Sequence, residues 1–161
     1  MALIRGPGAV DSPETEAFVK QARLFCDFVE HAAAMPLAQR LLVARERLLE
    51  LTLAATRLPI VDPPEGFDAG PPPPVPSGWA GFGAQQRYWE VFDPYVNEPA
   101  VGGSLDDDVL DVYGDLHRGL GLWDSTAPRA AAIWEWRFSF ETHWGDHAVD
   151  AIRALQRAVR G

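Results

Sequence analysis

WEWRFSFETHWGDHAVDAIRAL, residues 134–155, carries the pattern on which the reading of this chain turns. Ile133, Trp134, Trp136, Phe138 and Phe140 make its first half apolar nearly all round, which predicts a helix over 129–143 at the centre of a core. From Asp146 the pattern changes. Ala148, Ile152, Leu155 and Val159 recur at helical spacing while Arg153, Arg157 and Arg160 take the other side, predicting an amphipathic helix over 146–159. Gly145 stands between the two as a kink or a break.

Upstream, SLDDDVLDVYGDLH (104–117) reads as a helix start, with Ser104 as N-cap, Asp107 in the place of a capping-box glutamate, and Leu105, Val109, Val112 and Leu116 as the buried stripe. Gly119 and Gly121 read as stop signals, so this helix is expected over 105–117. Residues 82–92 predict a further short helix, closed by Asp93-Pro94. Near the start, Ser12-Pro13-Glu14 opens a helix that Phe18, Ala22, Phe25 and Val29 carry to about residue 34. Pro36 opens another through Leu37, Leu41, Ala44, Leu48 and Leu51, and the two predict an antiparallel helical hairpin. No alternating run of comparable length signals a strand. The expectation is an all-α chain, a five- or six-helix bundle-like single domain across 1–161. Residues 58–81 hold eight of the 14 prolines, so 59–81 are expected as a proline-rich internal linker wrapped on the surface, with 71–74 extended.

With 161 residues, 47% of them hydrophobic and 23% charged, the chain can bury a core, which excludes disorder throughout. A formal net charge of −9 speaks against nucleic acid and anionic lipid as partners. Cys26 is the single cysteine, excluding an intrachain disulfide framework and fitting a cytoplasmic location. No apolar run approaches the roughly 20 residues of a membrane helix, and MALIRGPGAVDSPE lacks a signal-peptide core. Neither a glycine-rich dinucleotide fingerprint nor a phosphate loop is present, and Ser139 lacks nucleophile-elbow glycines, so no cofactor is implied.

Three polar sets remain. Asp107, Asp111 and Asp115 repeat at i, i+4 with Asp108 beside them, an acidic face that reads as solvated, as a dock for a basic partner, or as carboxylates for a divalent cation. Arg137 and Glu141 are four apart in the most apolar helix and read as a buried structural pair or as part of a pocket that recognises an anionic or planar polar group. His143, His147 and Asp150 fall on one side of a continuous helix, a spacing open to helix bridging, an unmetalled pocket, or metal ligation. The stretch HWGDH lacks the glutamate that a zincin motif places after its first histidine. Arg137, Glu141, His143 and His147 are expected to face inward as one hydrogen-bonded cluster. All six tryptophans fall in the last half, from Trp79 to Trp144, and predict a homodimer or a protein partner through that half.

YWEVFDPYVNEPAV (88–101), SLDDDVLDVYGDLHRGL (104–120) and the opening stretch together resemble a bacterial family known as domain of unknown function 5063. The resemblance runs over roughly residues 88–156, within a family-like C-terminal part taken as 82–160, and implies a small helical fold and a bacterial origin but no reaction. It also marks Asp107, Asp108, Asp111, Tyr113, Arg137, Glu141, His143 and His147. Two functions fit: a protein- or ligand-binding adaptor module, or a metal-dependent hydrolase with carboxylates and histidines from adjacent helices. The hydrolase requires Asp107 or Asp111 to converge with Glu135, Glu141, His143 or His147. The module requires an exposed apolar patch without that convergence.

Overall fold

A computed structural model describes residues 10–66 and 68–161. Most of the stretch read for a signal peptide, residues 1–9, lies outside them. Helix α1 (Pro13–Glu30) begins where Ser12 accepts a hydrogen bond from the Thr15 amide, and α2 (Leu37–Ala55) follows a single 3₁₀ turn, Ala32–Ala34. Helix α3 (Leu105–Trp123) is capped by Ser104 Oγ on the Asp107 amide. Helix α4 (Arg129–Ser139) runs through a π-helical turn, Phe140–Trp144, into α5 (Gly145–Ala158), so the last three elements form one rod.

The helices pack in a ring: α1 on α2, α2 on α5, α5 on α3 and α3 on α1. Into its centre go Phe18, Phe25, Leu48, Leu51, Leu105, Leu116, Ile133, Trp136, Trp144 and Leu155, all fully buried. The Phe18 ring lies 5.0 Å from Trp136 and 6.4 Å from Trp144, so α1 and the rod share an aromatic centre. Among the described residues no helix is long and apolar enough to cross a membrane.

Three expectations are corrected. Among the described residues the helices are four when the rod is counted once, not five or six, because the π turn joins the last two instead of breaking them. The Gly145 amide donates to the Phe140 carbonyl, and a Cβ at Gly145 would sit 2.2 Å from that oxygen, so glycine is what lets the rod carry its extra residue. The stops assigned to Gly119 and Gly121 fail, since α3 continues to Trp123. A Cβ on Gly119 would lie 1.9 Å from Trp136 Nε1, so this glycine makes room for the largest core side chain. Finally, the chain is not all-α. The helix expected over 82–92 is instead a 3₁₀ turn, Gly83–Gln86, followed by strand β1 (Arg87–Glu90), which pairs antiparallel with β2 (Val101–Ser104), Arg87 opposite Ser104 and Glu90 opposite Val101. Period-2 patterning is too short over four residues to read, and β2 is half glycine.

Residues 56–66 and 68–82 fall between the end of α2 and the 3₁₀ turn before β1. The Ala33 amide donates to the Gly78 carbonyl, pinning the segment to the α1–α2 turn, and Phe82 is fully buried at its end.

Candidate metal centre

Spacing on α3 sets the first half of the site. Asp108, Asp111 and Asp115 recur at i, i+3 and i+7, one stripe of a helix, and this stripe meets the π turn and the start of α5. The ridge read as Asp107, Asp111 and Asp115 is therefore corrected. Asp107 is exposed beside the cap, whereas Asp108 and Asp115 are buried.

Two buried carboxylates at helix spacing need donors, and the rod supplies them. His143 Nδ1 lies 2.6 Å from Asp115 Oδ2, and His147 Nδ1 lies 2.8 Å from Asp108 Oδ1. An ionised carboxylate can only accept, so each Nδ1 carries its proton. The hydrogen bond to Asp108, helped by the charges of Asp111 and Asp108, raises the His147 pKa above its ordinary value against the opposing effect of burial. Asp115 also takes a guanidinium contact from Arg118, one turn along α3. Burial raises the pKa of the neighbouring Glu135 carboxyl.

With Nδ1 of both rings engaged, Nε2 is the free nitrogen on each. His147 Nε2 lies 3.4 Å from Asp111 Oδ2. Two metal bonds of ~2.1 Å at a tetrahedral angle separate their ligand atoms by about that distance. One ligand atom from each of Asp111, His143 and His147 lies within 4.8 Å of the others. The His143 side chain is 47% exposed and Asp111 45%, so both can close on an ion and solvent can reach it. Asp108 and Asp115 hold the two rings in orientation from behind, the arrangement that fixes the tautomer of metal-binding histidines.

Beyond Asp108 the network continues to a residue that the sequence reading missed. The Tyr88 hydroxyl donates to Asp108 Oδ2 at 2.6 Å and lies 3.2 Å from Glu90 Oε2, which ties strand β1 to the seam. Burial, together with Asp108, pushes the Tyr88 hydroxyl strongly upward, so it stays protonated and donates. Asp150, expected beside the histidines, turns instead toward Glu90. Burial and that hydrogen bond push its carboxyl up to about 7. Only the position of Tyr88 three residues before the exposed hairpin tip could have hinted at this, and a tyrosine there has no helical or strand signature.

The expected cluster of Arg137, Glu141, His143 and His147 is divided. Arg137 donates to the Leu58 carbonyl at 2.9 Å and stands 3.9 Å from Glu141, whose side chain is 61% exposed. Arg137 is therefore mostly covered just past the end of α2, with Glu141 mostly in water, and the pair does not join the histidines. Phe138 is half exposed and stacks on Trp134 at 4.9 Å, so α4 is not apolar-buried all round. Tyr113 faces α1, donating to Glu30 Oε1 at 3.0 Å.

Residues 80–160 match the family described as "Domain of unknown function (DUF5063)". No curated protein matches the chain. Among solved structures, the crystal structure of protein BF1032 from Bacteroides fragilis superimposes with a TM-score of 0.75 at 17% identity, over 93% of this chain and 94% of that one. That likeness is one of fold.

Proposed function

We propose that this chain, which belongs to the DUF5063 family, binds a divalent transition-metal ion through Asp111, His143 and His147 and acts as a metal-dependent hydrolase. The observation that carries the reading is the pairing of each histidine with its own buried aspartate. Asp115 and Asp108 occupy Nδ1 of His143 and His147, which leaves Nε2 of His147 beside Asp111 and a ligand atom of each of the three residues within 4.8 Å of the others. A surface ion pair needs one carboxylate per histidine, and Asp111 is a third. Two imidazoles and a carboxylate suit zinc, iron or manganese, and three protein ligands leave positions for water or substrate. An ion held there would supply Lewis-acid activation of water.

The site's own residues have separable roles. Asp111, His143 and His147 ligate, Asp108 and Asp115 orient, and Tyr88 holds the second oxygen of Asp108 so that its carboxylate cannot rotate toward the ion. Asp107 and Glu141 have no place in the set.

Titration of the purified chain with Co²⁺ and Zn²⁺, followed by calorimetry and by visible absorption of the cobalt form, tests the reading. One equivalent should bind, and Asp111→Ala, His143→Ala and His147→Ala should each weaken it at least tenfold, with Asp107→Ala unchanged. Failure to take up metal, or equal uptake by all variants, overturns the site. Loaded protein that cleaves no phosphoester, ester or amide would overturn the hydrolase and leave a metal-binding protein.

The adaptor reading is favoured by a different observation. Trp89, Phe92 and Tyr95 are 77%, 84% and 97% exposed on one hairpin.

A further inference from the structure

The hairpin that carries those aromatics also borders a cavity of about 550 Å³ against the second half of α5. Arg87, Arg153 and Arg157 line it, and among the described residues none of the three guanidiniums is paired with a carboxylate. Three unpaired cations around one cavity are notable in a chain of net charge −9. Glu90 and Asp150 also line it, and these two are engaged with each other and with Tyr88.

The hairpin tip has the opposite character. VFDPYVNE, residues 91–98, contains two acids and no base, and presents Phe92 and Tyr95 almost fully to solvent. Its shape is held locally: the Tyr95 amide donates to Asp93 Oδ1 at 2.9 Å, and the Asp93 amide donates to Glu98 Oε1 at 2.9 Å. The aromatics are thus displayed on a preformed tip, so docking them does not require ordering a loose loop. Trp, Tyr and Arg are the residues that anchor protein interfaces, and here Trp89 lines the cavity with the arginines while Tyr95 stands on the tip of the same hairpin.

We infer that the hairpin tip of one copy docks in the arginine-lined cavity of a second copy, making an isologous dimer in which Phe92 and Tyr95 are the anchors and Arg87, Arg153 and Arg157 face the partner's acidic tip. Charge complementarity selects a second copy as the occupant, because every chain carries both the acidic aromatic tip and the cationic cavity. A two-fold arrangement satisfies both at once and closes without extending into a filament. The inference stands on residues separate from the metal ligands and does not depend on them.

Sedimentation equilibrium of the intact chain from micromolar to millimolar concentration, at low and high salt, tests it. The mass should rise from 17.7 kDa toward twice that value with concentration. High salt should weaken the dimer, because the paired charges lie near the surface. Phe92→Ser with Tyr95→Ser, and separately Arg153→Glu with Arg157→Glu, should each raise the dissociation constant at least tenfold. All four side chains are exposed, so helical circular dichroism should be retained in both variants. A wild-type chain that stays at 17.7 kDa throughout overturns the inference and assigns the surface to a different partner. So does a dimer that survives both double substitutions.

Discussion

Arg137–Glu141 and His143–His147 are both i, i+4 polar pairs on the same rod, a few residues apart, yet they have opposite fates. Arg137 spans to a backbone carbonyl at the end of α2 with Glu141 in water, while the histidines meet buried carboxylates of α3. Spacing is equal in the two, so spacing does not decide burial. What differs is the surface opposite: α3 presents a stripe of aspartates, and the end of α2 presents no carboxylate. The π turn holds Glu141 of one pair and His143 of the other, and its added residue shifts the side chains of α5 around the rod relative to those of α4.

Removing that added residue's support is the strongest way to break the contrast. Gly145→Ala places a Cβ against the Phe140 carbonyl and should cost about 3 kcal/mol in urea denaturation. A loss under ~0.5 kcal/mol would show that the turn tolerates a side chain and does not set the rod's register. Next in size is Asp115→Ala, which leaves Arg118 and His143 without their shared acceptor at a buried position. About 2–3 kcal/mol should be lost, less than for a fully enclosed pair because His143 is half exposed.

Arg137→Ala measures the other side of the comparison. It removes one hydrogen bond to a carbonyl and a long, 3.9 Å ion pair to the mostly exposed Glu141, so about 1 kcal/mol or less is expected by the same denaturation. A loss near that of Asp115→Ala would mean that the two polar sets are energetically alike after all.

The smallest effect is a pH dependence at the hairpin end of the seam. Asp150 has a folded-state pKa of about 7, above its unfolded value, so the folded chain holds this proton more tightly. Stability from this group is present at acid pH and declines as pH rises from about 4 through 7. Asp150→Asn should therefore stabilise the chain at pH 8 relative to pH 5, on the order of 1 kcal/mol after allowing for solvent screening. Urea midpoints of the two proteins at each pH give the difference, and an equal gain at both values would remove the account of Asp150 as a carboxyl whose pKa burial and the Glu90 contact raise.

Helical content, the N-caps at Ser12 and Ser104, and the stripes Phe18–Ala22–Phe25–Val29 and Leu105–Val109–Val112–Leu116 were all legible in the chain, because each depends on neighbours within one or two turns. The same locality misled at Gly119 and Gly121: glycine is a local stop signal, yet the helix gains more from seating Trp136 against Gly119 than it loses in propensity. Local patterning also singled out every one of Asp108, Asp111, Asp115, His143 and His147, but could not say which would meet. That depended on which face of α3 turns toward the rod and on one extra residue in the π turn. Tyr88, Glu90 and Asp150 came together only through a hairpin of two four-residue strands. Helix identity is a short-range property that residues settle with their own turn. Convergence of polar groups from separate elements is set by packing, where burying Trp136, Trp144 and their neighbours leaves those groups only the partners on the facing helix.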